Sequence, residues 1–252
     1  MSPWLPKHAP DARTALRATL GAPAPLPPLD PATYAAWSRE SIEDPDAFWA
    51  RQADALLTWE RPWTTVCDAD LPAGRVRWFD GARLNVAHNC IDRHLATRGD
   101  QAAIVWEGDD PSQSERITYS DLHARVCRLA NVLGGRGVAR GDRVCIYMPM
   151  IPEAAVAMLA CARIGAIHSV VFGGFSPQAL GDRILDSDCR VVITADEGVR
   201  GGRAIPLKAN TDEALLRCPN VHSVLVVRRT GGEVGWAPGR DLDYGVAVAA
   251  AS

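Results

Sequence analysis

Residues 143–172 read RVCIYMPMIPEAAVAMLACARIGAIHSVVF, and this stretch decides the fold class. Residues 143–147 favour a strand, and residues 166–172 are nearly all apolar, as expected of a parallel strand that is covered on both faces. Between them, Pro152 suits the first turn of a helix, and Gly165 is typical of the position just after a helix. This spacing predicts two parallel strands joined by a helical crossover.

The same alternation continues on both sides of that stretch. One helix is predicted to begin near Thr118 with a capping-box pattern. Its buried face is marked by apolar residues at helical spacing, namely Leu122, Val126, Leu129 and Leu133. The other predicted strands lie at residues 102–106, 116–119, 191–195 and 223–228, and the other predicted helices at 153–164, 176–187 and 208–216. Repeated units of this length indicate an α/β domain with a mostly parallel sheet flanked by helices.

Composition divides the chain into three parts. Prolines crowd residues 1–31 and disfavour regular structure, so an extended arm is expected there. Residues 32–86 hold five of the eight tryptophans and a helical stretch at 34–59. We interpret these tryptophans as packing residues rather than a ligand cage, because no charged residues accompany them at regular spacing. Residues 87–252 form the α/β domain.

The last residues of the chain lack the usual signs of a domain end. Residues 244–252 are mostly alanine and valine, without an evident cap, charge or closing strand, and we expect a truncated domain. A truncated sheet exposes an edge and apolar surface, so poor solubility of the isolated chain is expected.

Charge and composition exclude several classes of protein. The 27 basic and 30 acidic residues give a net charge of −3, which offers no basic surface for nucleic acid or an anionic membrane. The seven cysteines form no CxxC pair and indicate neither a zinc site nor a disulfide framework. The first thirty residues lack the apolar core of a signal peptide, and the longest apolar run, 154–162, is too short to span a bilayer. A soluble, cytoplasmic protein is expected.

Two glycine-containing loops are candidates for anion binding. The first, Phe172-Gly173-Gly174, joins a predicted strand to a helix start, where free N–H groups favour anions. A tight turn that needs glycine explains this loop equally well. The second, Arg200-Gly201-Gly202-Arg203, follows another strand and can form an anion nest with guanidinium forks for phosphate. Taken alone, such a tetrapeptide is more often a solvated loop.

No catalytic or metal-binding group is identified from motifs. The sequence lacks the GxGxxG, GxSxG and HExxH patterns, and no lysine-containing phosphate loop or kinase signature occurs. The acidic pairs at 109–110 and 196–197 are expected to be solvated turns rather than acid–base or metal sites. The six histidines lack ligand spacing, and His168, inside an apolar strand, is expected to be a core residue.

Longer stretches of the sequence carry a family resemblance. They read WEGDDP at 106–111, MPMIPEAAVAMLACARIG at 148–165, HSVVFGGFSP at 168–177 and ITADEGVRGGR at 193–203. Together they resemble the N-terminal part of the AMP-forming acetyl-coenzyme A synthetases, of the adenylate-forming ligase superfamily. The tryptophan-rich segment is similar to that family's own N-terminal segment. Siblings that act on propionate or acetoacetate share much of the pattern, but the first and last of these stretches look more like the acetate enzyme.

The resemblance implies a fold, a reaction and a set of binding residues. The fold is the large domain of the adenylate-forming ligases, here incomplete. In the reaction, ATP and acetate give acetyl-AMP and pyrophosphate, and coenzyme A then takes the acetyl group; Mg²⁺ is implied for the complete enzyme, with no ligand identifiable here. The family's RGGR loop binds the nucleotide end of coenzyme A, which implies this role for Arg200, Gly201, Gly202 and Arg203. The adjoining loop implies weaker contacts from Phe172, Gly173 and Gly174.

Parts of the family's pattern have no match in this sequence. The phosphate loop with its lysine, the acetate pocket, the ATP motifs and the C-terminal domain are missing, and Lys7 and Lys208 match neither lysine of the family's chemistry. The resemblance therefore implies a chain that carries part of the coenzyme A site, no catalytic residue and no activity alone. A non-catalytic coenzyme A- or nucleotide-binding module and a propionyl-CoA synthetase-like sibling are the alternatives.

Overall fold

A computed structural model of the chain describes residues 29–251, which divide into two units at Leu84 and Asn85. The Pro-rich arm predicted for residues 1–31 lies outside the described residues except for its last three. Of these, Asp30 and Pro31 already begin a helix, because the Asp30 carboxylate accepts a hydrogen bond from the N–H of Thr33 at 2.9 Å. Within residues 29–251, none of the helices combines the length and apolar character that a membrane crossing requires.

The described part of the first unit, residues 29–84, contains two helices and a β-hairpin. Its elements are α1 (Pro31–Glu43), α2 (Pro45–Leu56), β1 (Thr65–Asp70) and β2 (Arg75–Asp80), and the two strands pair antiparallel. Asp44 separates the helices, since its carboxylate accepts from the N–H of Ala47 at 3.1 Å and so caps α2. The helical stretch predicted at 34–59 is therefore two helices. The hairpin was not predicted, because both strands mix charged with apolar residues.

The tryptophans of this unit pack against other aromatic rings. The ring centroid of Trp49 lies 5.1 Å from that of Phe48 and 6.3 Å from that of Trp78, and Trp59 lies 5.2 Å from Trp63. All three pairs are edge to face, the geometry that aromatic quadrupoles favour. These rings pack against one another although Trp49 and Trp78 remain exposed, so their role as packing residues stays a prediction.

The second unit is an α/β structure. In chain order its elements are α3 (Val86–Cys90), a 3₁₀ turn (Asp92–His94), α4 (Leu95–Arg98), β3 (Ala102–Glu107), β4 (Ser114–Thr118), α5 (Tyr119–Gly135), β5 (Arg143–Met148), α6 (Pro152–Ile164), β6 (Ile167–Phe172), α7 (Pro177–Ser187), β7 (Val191–Ala195), β8 (Gly198–Arg200), β9 (Arg203–Ile205), α8 (Leu207–Leu215), β10 (Ser223–Val227), β11 (Asp241–Asp243) and α9 (Tyr244–Ala250). Five strands form a parallel sheet in the order β11-β10-β7-β5-β6. The predicted fold class is confirmed.

The predicted elements of this unit are present within one or two residues of their bounds. The capping box at α5 is formed, since the Thr118 hydroxyl accepts from the N–H of Asp121 at 3.1 Å and the Asp121 carboxylate accepts from the N–H of Thr118 at 3.1 Å. The last predicted strand, at 223–228, is β10, and it is followed by a further strand, β11. Helix α9 then begins at a cap, because the Asp243 carboxylate accepts from the N–H of Val246 at 3.0 Å. The short strand β11 and the capped start of α9 were not predicted, whereas the helix ends at Ala251 without a cap hydrogen bond.

Strand β6 differs from its prediction, because it lies at an edge of the sheet. It pairs with β5 alone among the described residues, and Ile167, Val170 and Phe172 are each more than half exposed. The prediction of a strand covered on both faces is thus wrong, and so is that of a core histidine, since His168 is exposed. An apolar run predicts burial only where other elements cover both faces of the strand. The apolar sheet edge expected from the sequence is found here.

A buried ion cluster joins α8 to β11. The Lys208 ammonium, fully buried, donates to the Asp212 carboxylate at 2.7 Å and lies 2.8 Å from the Asp241 carboxylate. Arg240 donates to the same two carboxylates, at 2.5 Å and 2.6 Å. Two cations thus balance two anions at the edge of the core, where Lys208 and Asp241 are fully buried while Asp212 and Arg240 remain partly exposed. Burial acts to raise the pKa of the Asp241 carboxyl, but hydrogen bonds from Arg240, the backbone of Ala237 and Lys208 hold that pKa below its ordinary value.

We expect Lys208→Met to lower the free energy of unfolding by about 3–5 kcal/mol, because it leaves two carboxylates with one cation in a buried site. Urea unfolding of the wild-type and variant chains measures the loss. The control is Arg190→Met, which removes an exposed guanidinium 3.7 Å from Asp188 and should cost about 1 kcal/mol or less. Equal losses in the two variants would contradict the proposed importance of the cluster.

The same cluster predicts a pH dependence. Since the folded pKa of Asp241 lies below its unfolded value of about 3.9, its carboxylate stabilises the fold fully above that value. This contribution disappears as the pH falls through the folded pKa. The difference in unfolding free energy between wild type and Asp241→Asn should therefore be constant near neutral pH and shrink below about pH 4. A difference that grows as the pH falls would contradict this assignment.

Candidate functional site

A cavity of about 320 Å³ opens at the carboxyl ends of four neighbouring strands. Its lining includes residues that follow β5 (149–151), β6 (173–174), β7 (198–200) and β10 (Arg229). The chain passes from β5 to β6 on one side and then crosses to β7 on the other side of β5. Ligands of open α/β sheets bind at such a switch point, so this cavity is the candidate site.

Tyr147 holds the first predicted loop in place from beneath. Its hydroxyl, at the end of β5, donates to the carbonyl of Phe175 at 2.8 Å, and the carbonyl of Gly173 lies 3.3 Å away. The Asn210 amide donates to the same hydroxyl at 3.2 Å. Burial raises the pKa of the Tyr147 phenol, which therefore stays a hydrogen-bond donor at neutral pH.

Close packing favours glycine at both glycine positions of this loop. A Cβ on Gly173 would lie 3.3 Å from the carbonyl oxygen of Met148, and one on Gly174 would lie 2.7 Å from the Phe172 ring. The N–H of Phe175 donates to the carbonyl of Phe172 at 3.0 Å and closes the turn. The loop is therefore a tight turn that also lines the cavity, and ligand contact by Phe172, Gly173 and Gly174 stays a prediction.

The second predicted loop is a β-hairpin rather than an irregular loop. Strands β8 and β9 pair antiparallel, with Arg200 opposite Arg203. Gly201 and Gly202 form the two-residue turn, with φ of +57° and +73°. A turn with positive φ at both central residues strongly favours glycine and suits the twist of a hairpin. The hairpin was missed because each strand has only three residues.

The hairpin brings the two predicted loops together. The Arg200 guanidinium carbon lies 5.7 Å from the centroid of the Phe172 ring, within cation–π range. Arg200 therefore joins Phe172 and the two glycines after it in the lining of the cavity. Gly202 lines an adjoining cavity of about 450 Å³, and Gly201 and Arg203 are exposed at the hairpin tip.

Sequence reasoning missed two residues of the cavity wall, Trp106 and Arg229. The Arg229 guanidinium carbon lies 5.1 Å from the centroid of the Trp106 ring. The indole N–H of Trp106 donates to the carbonyl of Met150 at 2.8 Å, which ties the β3–β4 hairpin to the segment after β5. The available signal was position alone, because Arg229 directly follows a predicted strand of a parallel sheet.

The acidic pair at 196–197 is not a solvated turn, because Asp196 is fully buried. Its carboxylate accepts hydrogen bonds from the N–H groups of Glu197 at 2.7 Å, Arg229 at 2.8 Å and Gly231 at 2.9 Å. These bonds tie the end of β7 to the segment after β10. At the other acidic pair, both residues are exposed, as expected, and Asp110 accepts from the N–H of Ser112 at 2.9 Å.

Three arginines around the cavity keep an unneutralised charge. Among residues 29–251, no carboxylate oxygen lies within 4.0 Å of the guanidinium groups of Arg200, Arg203 or Arg229. By contrast, the neighbouring Arg228 lies 3.5 Å from the Asp243 carboxylate. Guanidinium groups without anionic partners at this end of the sheet favour an anionic ligand.

The buried cysteines supply no activated nucleophile. All seven thiols are free, and Cys145, Cys161, Cys189 and Cys218 are buried. Burial raises the pKa of Cys161 to about 12, so its thiolate is not formed at neutral pH. Residues 29–251 also contain no group of three His, Cys, Asp or Glu side chains that could hold a metal ion.

Comparison with known proteins places both units in described families. Residues 91–242 match the family described as AMP-binding enzyme, and residues 34–90 match acetyl-coenzyme A synthetase N-terminus. The chain is 68% identical over 216 residues to acetyl-coenzyme A synthetase 2 of Pseudomonas putida, covering 86% of this chain and 33% of that protein. It is 65% identical over 219 residues to acetyl-coenzyme A synthetase of Halorhodospira halophila, covering 87% and 34%. It thus spans about a third of the length of these relatives.

A solved structure gives the same result for the fold. Acetoacetyl-CoA synthetase from Streptomyces lividans superposes with a TM-score of 0.78 at 29% identity, over 94% of this chain and 35% of that one.

We expect Tyr147→Phe to loosen the loop at 172–175, because it leaves the carbonyl of Phe175 without its hydroxyl donor. The unfolding free energy should fall by about 1–2 kcal/mol, and amide exchange at Phe175 should accelerate. Native-state hydrogen exchange measures the second effect. The control is Tyr34→Phe, which removes a hydroxyl from an exposed tyrosine of the first unit and should change neither quantity. Unchanged exchange at Phe175 would contradict the role of Tyr147.

Proposed function

The chain belongs to the AMP-binding enzyme family, and from this premise we propose that it forms the coenzyme A-binding part of an acetate–CoA ligase. In the proposed overall reaction, ATP and acetate give acetyl-AMP and pyrophosphate. The sulfur of coenzyme A then bonds to the acetyl carbon, the bond from that carbon to the AMP phosphate oxygen breaks, and the thiol loses its proton. Acetate is the proposed acid because the relatives with high identity are named acetyl-coenzyme A synthetases.

The observation that carries this proposal is the contact of Arg200 with the Phe172 ring at the rim of the cavity. This contact brings together the two loops to which the family resemblance assigns coenzyme A binding. The nucleotide end of coenzyme A combines a flat aromatic base with phosphate groups. The cavity offers apolar walls, including Ile205 and Leu207, beside a guanidinium group with no carboxylate partner. The apolar walls can hold the base inside the cavity, and the guanidinium group can bind a phosphate at its rim.

We assign the adenylation step to no residue of this chain. The ammonium of Lys208 is enclosed in its ion cluster and is not available to a substrate. No Mg²⁺ ligands are assigned, since the described residues contain no suitable group. ATP and acetate would bind to parts of the longer protein that correspond to the remaining two-thirds of the relatives. We also place the protein in the cytoplasm, because its seven free cysteines suit a reducing compartment.

The role of the hairpin arginines can be tested in a chimaera that carries residues 34–243 of this chain in place of the matching region of the Pseudomonas putida relative. We expect Arg200→Ala with Arg203→Ala to raise the KM for coenzyme A at least about tenfold, because charge-assisted hydrogen bonds to phosphate are lost. Acetate-dependent ATP–pyrophosphate exchange, which needs no coenzyme A, should stay within about twofold of the parent chimaera.

Two controls make this test specific. Arg217→Ala removes a guanidinium that pairs with the exposed carboxylate of Asp182, and it should leave both rates unchanged. An equal loss of exchange and of thioester formation in the double variant would mean that the hairpin arginines are structural, and it would contradict the proposed binding role.

If adenylation belongs to other parts of the longer protein, the 252-residue chain alone should catalyse no acetate-dependent ATP–pyrophosphate exchange. The parent chimaera should catalyse it. The reason is that residues 29–251 offer neither an accessible lysine nor a metal site for the adenylation step. Radiolabelled pyrophosphate incorporation into ATP measures both proteins. Exchange by the chain alone would overturn the assignment and place a phosphate-binding loop among its glycine turns.

A further inference from the structure

We propose that Trp106 and Arg229 form a second binding element of the cavity and hold a phosphate group of the ligand whose other end contacts Arg200. This inference rests on the proposed function and extends it to residues outside the two predicted loops. The ligand class is an extended nucleotide that carries phosphate groups at more than one position, such as the nucleotide end of coenzyme A.

The side chain of Arg229 is restrained at both ends. Its backbone N–H donates to the buried carboxylate of Asp196 at 2.8 Å, which fixes the start of the side chain. At the other end, one guanidinium nitrogen donates to the side-chain carbonyl of Gln113 at 2.5 Å, and the guanidinium carbon lies 5.1 Å from the centroid of the Trp106 ring. Little side-chain freedom is left to lose when a ligand binds, which favours affinity.

The partner ring is equally fixed. The indole N–H of Trp106 donates to the carbonyl of Met150 at 2.8 Å, so the ring cannot turn away without losing that bond. Gly108 leaves room for the pair, because a Cβ at this position would lie 3.2 Å from the indole and 3.3 Å from a guanidinium nitrogen of Arg229. The pair is therefore built into the cavity wall.

The charge of Arg229 is directed at the cavities and is not neutralised. Arg229 lines both the 320 Å³ cavity and the adjoining 450 Å³ cavity, and among residues 29–251 it has no carboxylate oxygen within 4.0 Å. A guanidinium has five N–H donors, of which Gln113 takes one. The acidic residues that line these cavities, Glu107, Asp109 and Asp110, limit the overall positive field. Directed hydrogen bonds, rather than general attraction, are then what selects a phosphate.

The neighbouring Arg228 shows what is particular to Arg229. It also lies on an indole, with its guanidinium carbon 5.2 Å from the centroid of Trp236. Unlike Arg229, it lies 3.5 Å from a carboxylate, that of Asp243, and it is not part of the lining of either cavity. Both arginines therefore lie on a tryptophan ring. Of the two, Arg229 is the one that lines the cavity and has no carboxylate partner.

The width of the site indicates the size of the ligand. Phe172 ends β6 and Arg229 follows β10, and these strands are separated by β7 and β5. Three interstrand spacings amount to about 14 Å. The two arginine–aromatic pairs thus start from separate strands but face one cavity. A nucleotide with a base and phosphates on different sides can contact both pairs, so we infer one extended ligand.

The experiment is calorimetric titration of the 252-residue chain with coenzyme A and, separately, with adenosine, which lacks phosphate. Arg229→Ala should weaken binding of coenzyme A at least about tenfold and leave binding of adenosine within about twofold. Arg229→Lys keeps the charge but not the planar fork, so it should recover only part of the affinity. Arg228→Ala is the matched control and should bind both ligands like the wild type.

Each result decides the inference. A differential loss for coenzyme A in Arg229→Ala, with partial recovery in Arg229→Lys, supports it. An unchanged affinity for coenzyme A in Arg229→Ala overturns it, and so does an equal loss for both ligands, which marks a structural effect. If Arg200→Ala alone weakens coenzyme A binding, the proposed function stands while this inference fails. If the wild-type chain binds neither ligand, the proposed function fails as well.

Discussion

The buried carboxylate of Asp196 is the constraint on which the carboxyl edge of the sheet depends. A carboxylate without water is costly unless hydrogen bonds replace its hydration. The chain supplies them from the N–H groups of Glu197, Arg229 and Gly231, at 2.7–2.9 Å. The backbone of Asp196 adds two more ties, donating to the carbonyl of Val227 and accepting from the N–H of Lys208. One residue thereby fixes the ends of β7 and β10 and the start of α8.

The binding elements follow from this arrangement. The β8–β9 hairpin with Arg200 begins two residues after Asp196, and Arg229 is held by its carboxylate. On the other side of β7, the Tyr147 hydroxyl holds the loop that carries Phe172. Buried polar groups beneath the cavity therefore set the positions of the groups that form the proposed site. This is how a rigid sheet supports a site made of loops.

The sequence predicted those elements whose cause is local. Helix α7 and strand β7 have the predicted bounds because Ser176-Pro177 and a short apolar run mark them without reference to the rest of the chain. The errors arise where distant partners decide. The apolar β6 is exposed because its position at the sheet edge depends on strand order, and Asp196 is buried because N–H groups more than thirty residues away reach it. The contact of Arg229 with Trp106 was not predicted for the same reason, since the two residues are distant in sequence.

The way in which the arginines are held explains why the cavity suits an anion. A guanidinium that pairs with a carboxylate, as Arg240 does with Asp212 and Asp241, is fixed in place but loses its net charge to that partner. An aromatic ring restrains a guanidinium through its quadrupole and leaves the full positive charge in place. Arg200 on Phe172 and Arg229 on Trp106 are both held in the second way. The difference between Arg240, held by carboxylates, and the two arginines held by rings alone is the physical basis of the proposed anion site.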